Sequence, residues 1–244
     1  MGPAATNYMA ALITRLTPAR NDQEHIPVIT YNNPRIPDRF EAILANGSSP
    51  LPELIKTARV LEQAGADLIV MPCNTAHIFI DEISRAIEIP VLNMVAETVS
   101  HISSSSYSAV AILASSASVS CGIFEGSLRN QQIEIFYPSD QDQWLITDAI
   151  MKIKSGQTQE AFATLNAIGS KLVQAGAQAV VAGCTEISLV FDERHREIDF
   201  VVIDPMQIIA NIAINFALEP ARSMLHTNGS LSEIDHRSRK LAVV

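Results

Sequence analysis

Cationic side chains are scarce in this chain. Lys and Arg number 17 against 26 Asp and Glu, a formal charge of −9 over 244 residues. Neutralising a phosphate backbone needs clustered Lys and Arg, so the charge argues against nucleic acid as a partner. Aromatic residues are also few, 5 % of the total. No apolar run reaches the roughly 18 residues of a membrane span, so no membrane association is expected. The opening residues Met1 to Asn7 have no basic stretch leading into an apolar one, so no signal peptide is expected. Three cysteines make no disulfide framework. Reduced thiols in the cytoplasm are expected. Neither a G-x-G-x-x-G turn nor a G-x-x-x-x-G-K-[ST] loop is found, so no cofactor is called for.

What the chain does have is aliphatic. Hydrophobic residues make up 48 %, a composition that suits helices packed on buried parallel strands. The length allows one large α/β domain or two small lobes, each with a real core.

A repeat selects the second option. Leu61-Glu62-Gln63-Ala64-Gly65-Ala66-Asp67-Leu68-Ile69-Val70-Met71-Pro72-Cys73-Asn74 aligns without gaps on Leu172-Val173-Gln174-Ala175-Gly176-Ala177-Gln178-Ala179-Val180-Val181-Ala182-Gly183-Cys184-Thr185. Each copy reads as a helix tail, an Ala-Gly-Ala turn, an apolar strand and then Cys. Alternating strands and helices predict parallel sheets with right-handed crossovers. The expected fold is α/β, with two pseudo-symmetric lobes, each a parallel sheet flanked by helices, and the active site in the cleft between them. Residues 1–91 plus 203–218 are assigned to the first lobe and 92–202 to the second.

The elements follow from the apolar periodicity. Helices are expected from Pro3, over 52–64, 75–87, 141–154, 157–174 and 206–218, and briefly after Cys184. Strands are expected at 26–31, 67–71, 91–94, 109–114, 133–137, 177–182 and 200–203. Ser118 is read as a helix cap. The second lobe opens with the strand 109–114, whereas the first opens directly on a helix. The first sheet is therefore short by one strand, or the sequence starts after it; Met1-Gly2-Pro3 resembles the turn following such a strand and favours the late start. Residues 219–244 are read as a mobile tail, with Arg237-Ser238-Arg239-Lys240 as solvated charge.

Cys73 and Cys184 each end a strand and precede a helix. Strand carboxyl ends line the ligand cleft of parallel sheets, and helix N-terminal amides stabilise a thiolate. A free Cys is commonly a small buried hydrophobe, and Cys121, which has no duplicate, is read that way inside a helix. Two cysteines at equivalent repeat positions argue for chemistry. Redox chemistry favours cysteines two residues apart, and these are 111 apart. A zinc site from Cys73 and His77 lacks further ligands. A Cys73–His77 nucleophile leaves Cys184 without a role. Opposed thiols can instead move a proton between two faces of a carbon. Arg39 with Asp38 on a proline-rich loop, and Lys154 at a helix end, suit an anionic substrate. Asn74, Thr75, Thr185 and Ser118 add neutral donors.

Asn32-Asn33-Pro34-Arg35-Ile36-Pro37-Asp38-Arg39, Met71-Pro72-Cys73-Asn74-Thr75-Ala76-His77 and Gly183-Cys184-Thr185-Glu186 together resemble the aspartate/glutamate racemase superfamily. They are most similar to its cofactor-independent aspartate racemases. The resemblance runs from Met1 to about Leu218. It implies a pyridoxal-phosphate-independent isomerase, a homodimer, that interconverts L- and D-aspartate with two cysteines. It implies Cys73 on the D side and Cys184 on the L side. It implies Arg39 and Lys154 on the side-chain carboxylate, and Asn74, Thr75, Thr185 and Ser118 on the α-carboxylate or amino group. The family's opening strand and Gly-Gly turn are absent before Met1, and Ala117-Ser118 stands where Gly-Thr is commoner. The alternatives are a glutamate racemase or dicarboxylate cis–trans isomerase of the same superfamily, or a catalytically silent amino-acid-binding protein.

Overall fold

The computed structural model describes residues 2–219 and 239–244. In chain order the elements are α1 (Pro3–Leu16), β1 (Val28–Thr30), α2 (Arg39–Leu44), α3 (Leu51–Gln63) and β2 (Leu68–Val70). A 3-10 turn (Thr75–Phe79), α4 (Ile80–Ser84) and α5 (Met94–Ser104) lead to β3 (Ala109–Leu113), α6 (Ser116–Ser120), α7 (Glu125–Asn130) and β4 (Glu134–Phe136). Then come α8 (Asp140–Lys154), α9 (Thr158–Gln174), β5 (Ala179–Ala182), α10 (Thr185–Glu193), β6 (Val202–Ile203), α11 (Pro205–Leu218) and β7 (Leu241–Val243).

Two all-parallel sheets result, one ordered β1-β7-β2 and the other β4-β3-β5-β6. Helices flank both, and four aliphatic clusters fill the faces. The two Ala-Gly-Ala turns have a shared cause. Gly65 and Gly176 both have positive φ, +83° and +128°, which a side chain would strain. Among the described residues, no helix is long and apolar enough to cross a membrane.

The first sheet is not short of a strand. Residues 241–243, expected in a mobile tail, form the central strand β7 between β1 and β2. Leu241 and Val243 join one core cluster with Met9 and Ile209. Ala242 and Val244 join the opposite cluster with Leu54 and Leu61. Leu241, Ala242 and Val243 are fully buried, and burying each larger aliphatic contributes about 1.5–3 kcal/mol. The physical reason for the misreading is length: three or four apolar residues carry too little periodicity to read as a strand. The basic run is also not simply solvated. Arg239 donates to Phe216 O at 2.8 Å and stacks 4.4 Å from its ring centroid. The Lys240 amide donates to Asp67 Oδ2 at 2.7 Å. Arg237 and Ser238 lie outside the described residues.

Three further expectations are corrected. The helix expected over 75–87 is a 3-10 turn followed by α4. The Cys73 carbonyl accepts from Ala76 N–H (3.2 Å) and meets His77 Nδ1 (2.8 Å), so it is not available for an α-type bond. The strand expected at 91–94 is a single bridge, Val91 to Ile69, and Met94 already starts α5. Ser115, not Ser118, caps α6; its side chain accepts from Ser118 N–H at 3.3 Å.

Candidate active site

The parallel sheets direct the ends of β2 and β5 toward one cleft. Cys73 follows β2 by three residues, and Cys184 is the N-cap of α10. A cavity of ≈ 540 Å³ is lined by both cysteines and by Asp38, Arg39, Asn74, Thr75, Lys154 and Thr185. Its size is ordinary for a small-molecule site, about 300–1,000 Å³. Ser118 lies one layer behind, its Oγ 2.7 Å from Thr75 Oγ1 and 3.1 Å from Ser115 Oγ. All nine predicted site residues thus converge. A larger concavity of ≈ 830 Å³ runs along β6, between α5 and α11. It holds none of them and no thiol.

The two sulfurs sit beside opposite charges. Cys184 Sγ donates to Glu186 Oε2 at 3.0 Å. Burial first, and then the Glu186 carboxylate, push this thiol well above the ordinary cysteine range, against a smaller pull from Lys154. Cys73 instead has the Arg39 guanidinium beside it, close enough for the two to interact electrostatically. Burial alone pulls the Arg39 pKa down, but Cys73 and Asp38 outweigh it, and the guanidinium stays above its ordinary value.

Several polar groups are held ready. Arg39 donates through Nη1 to Pro37 O at 3.0 Å, while its buried Nε has no protein partner. Asn74 is 2 % exposed, and neither its amide nitrogen nor its oxygen has a partner. Buried polar groups are nearly always paired, so an unpaired amide on a cavity wall marks a place for ligand atoms. Asp38 is partly committed: its Oδ1 caps α2, accepting from Phe40 N–H (2.7 Å) and Glu41 N–H (3.1 Å). Its Oδ2 lies 3.9 Å from Lys154 Nζ on α8, across the cleft. Burial raises this carboxyl, but those amides together with Lys154 and Arg39 bring it below the ordinary value.

His77 is neither a base for Cys73 nor a metal ligand in this geometry. Its Nε2 accepts from Met94 N–H at 3.1 Å, so Nδ1 carries the proton and donates to Cys73 O at 2.8 Å. Cys121 is the C-cap of α6 and exposed, rather than a buried helix residue. A short helix of five residues ends one position too early to enclose it.

Two contributors escape a reading by residue type. Glu186 is 8 % exposed and accepts from Cys184 Sγ and from Thr185 Oγ1 (3.2 Å). Gly2 also lines the cavity, so close that a Cβ there would lie 3.1 Å from Glu186 Oε1. The repeat held a signal for Glu186, since it occupies the position equivalent to Thr75.

Comparisons with known proteins give the family of the chain. A family profile described as Asp/Glu/Hydantoin racemase matches residues 1–213. The solved structure of Picrophilus torridus aspartate racemase is 32 % identical, with TM-score 0.80, covering 88 % of this chain and 89 % of its own. A broad specificity amino-acid racemase, RacX of Bacillus subtilis, is 26 % identical over 88 % of this chain and 94 % of its own length. A putative Asp/Glu racemase from Yersinia pestis shares the fold, with TM-score 0.71 at 24 % identity over 88 % of this chain and 95 % of its own. This chain belongs to the Asp/Glu/hydantoin racemase family.

Proposed function

We propose that this racemase interconverts L- and D-aspartate by two-base proton transfer between Cys73 and Cys184. The observation that carries the reading is the pair of cysteines on one cavity with opposite charges beside them. In the proposed forward direction Cys73 acts as the base, with the Arg39 guanidinium beside it. Cys184 is the thiol, kept protonated by enclosure and by Glu186. The Cys73 thiolate takes the α-proton from D-aspartate, and the C–H electron pair moves into the α-carboxylate as an enediolate. Cys184 then gives its proton to the opposite face of Cα. The product is L-aspartate, with Cys73 as thiol and Cys184 as thiolate, ready for the reverse direction. Arg39 and Lys154 bind the side-chain carboxylate. Asn74, Thr75 and Thr185 hold the α-carboxylate and amino group, so that developing charge meets fixed donors. Ser118 sets the Thr75 hydroxyl, and Asp38 orients Arg39 and Lys154.

The test is solvent deuterium at Cα of aspartate, followed from either enantiomer. Cys73→Ser and Cys184→Ser should each lower exchange by at least about 10²-fold. Full exchange in either variant sinks the two-thiol mechanism.

A second reading concerns breadth. Phe40, Ala45, Ile150 and Met151 give the cavity an apolar wall beside its charged end. That wall, and the broad specificity in the name of the Bacillus subtilis relative, favour larger amino acids as well. A panel of L-amino acids, including glutamate, decides between the two. The cytoplasm and a homodimer belong to the same proposal; the subunit mass by light scattering checks the second.

A further inference from the structure

The C-terminal strand does for the first lobe what β3 does for the second. The repeat relates the lobes by an offset of 111 residues. In the second lobe Ala179 of β5 pairs with Val110 of β3. In the first lobe the equivalent residue, Leu68 of β2, pairs with Leu241 of β7. Each of these strands is the parallel centre between two others, β4 and β5 in one sheet, β1 and β2 in the other.

The symmetry continues past the strand ends. Ser115 caps the helix after β3, and Gly2 is the N-cap of α1. Thr75 of the first copy touches the first turn of α6, the helix after β3, at Ser118. Its equivalent, Glu186, touches Gly2. So β7 occupies the place from which α1 would start, although in sequence it follows α11, with residues 219–240 between them. The distances agree. Thr6 Oγ1 lies 3.3 Å from both Gly2 O and Val244 O. Those two oxygens are then about 7 Å apart at most, a gap that two residues at about 3.5 Å each can span.

We propose that the slot between β1 and β2 is a peptide-binding site, and that residues 239–244 are a separable ligand for it that works from either end of the chain. Its ligand class is a short extended aliphatic peptide led by a basic residue. Backbone bonds fix the register: Leu241 N–H to Pro27 O (3.0 Å), Tyr31 N–H to Val243 O (3.0 Å) and Val244 N–H to Val70 O (3.1 Å). Side chains select the sequence, Leu241 and Val243 on one face and Ala242 and Val244 on the other. Main-chain pairing with alternate side-chain pockets is how added strands are recognised. Occupancy matters to the chemistry, because β2 leads into Cys73, and α1 places Gly2 against Glu186, the partner of Cys184.

The experiment is a rescue in the full chain. Ala242→Asp puts a carboxylate into the fully buried centre of β7 and should lower the melting temperature by about 10 °C or more. A second copy of residues 239–244, joined ahead of Met1 through two glycines, is then added to that same variant. The expected result is recovery of the melting temperature to within a few degrees, on the order of 1 kcal/mol for a chain this size. Exchange at Cα should recover with it. If Ala242→Asp alone is insoluble, recovery of soluble protein with the native far-ultraviolet spectrum is the same readout. No recovery overturns the proposal. So does equal recovery by an added copy that itself carries the Asp. Because folding is read directly, a wrong substrate assignment would leave the thermal result unaffected.

Discussion

Thr75 Oγ1 and Ser118 Oγ meet at 2.7 Å, each buried, with Thr75 following β2 of the first sheet and Ser118 following β3 of the second. The cleft is therefore not merely a gap between lobes. It is tied at its floor by a hydroxyl pair, with the Arg15–Asp192 ion pair (2.8 Å) joining α1 to α10 at the surface. Moving either lobe would strand a buried hydroxyl.

Removing one side of that tie should be costly. Ser118→Ala leaves Thr75 Oγ1 without its partner, and an unsatisfied buried group costs about 1–3 kcal/mol. Adding Thr75→Val removes the other hydroxyl as well. Urea unfolding should show the double variant losing less than the two single losses combined, the mark of a direct coupling.

Glu186 sets the state of Cys184. Glu186→Gln removes the negative charge but not the burial, so the thiol should fall toward the ordinary range without reaching it. The midpoint of Cys184 alkylation by iodoacetamide should move to lower pH. It is read in a Cys73→Ser, Cys121→Ser background. An unmoved midpoint refutes the role given to the carboxylate.

Arg39 and Lys154 should not be equal. Arg39 is half-buried with an unused Nε, whereas the Lys154 side chain is 36 % exposed. Arg39→Lys loses a planar two-point donor. A charged hydrogen bond is worth about 1.5–3 kcal/mol, so kcat/KM for aspartate should fall by about 10–100-fold. Lys154→Met should cost less, mostly in KM, because water screens it. The reverse order in steady-state kinetics would move the carboxylate site away from Arg39.

His77 should give the fold an acid limb. Burial holds this imidazole below its ordinary 6.5, partly opposed by the backbone groups of Cys73, Leu92 and Asn74. The unfolded chain therefore takes up a proton first as pH falls. The stability from this group is complete above pH 6.5, and it drains as pH drops from there through the lower folded value. His77→Gln lacks that titration. Urea unfolding between about pH 7.5 and about pH 5, which brackets the ordinary histidine value of about 6.5, should be flatter for the variant, even if it is less stable throughout.

The pattern of long elements was legible because the signal repeats within them. α8 and α9 begin within a residue of their expected starts, and the Ala-Gly-Ala turns fall at Gly65 and Gly176. The thiols were legible for a different reason. A duplicated phrase constrains topology, and parallel topology sends equivalent strand ends to one cleft. Glu186 was not legible as a partner of Cys184, since a sequence does not say which way an adjacent side chain turns. Nor was the release of the Ser118 hydroxyl, which depended on Ser115 taking the cap.

By itself the sequence determined the two-lobed α/β architecture and the equivalence of Cys73 and Cys184 in the repeat. Those follow from local periodicity and from a repeat, both of which are properties of residue order. Only the tertiary structure decided how the first sheet is completed. Four buried aliphatic residues at 241–244 are too few to announce a strand, and their partners lie about 170 to 215 residues away in sequence. Burial between β1 and β2 is a property of the assembled lobe. It turns the last residues of the chain into the centre of the sheet that carries Cys73.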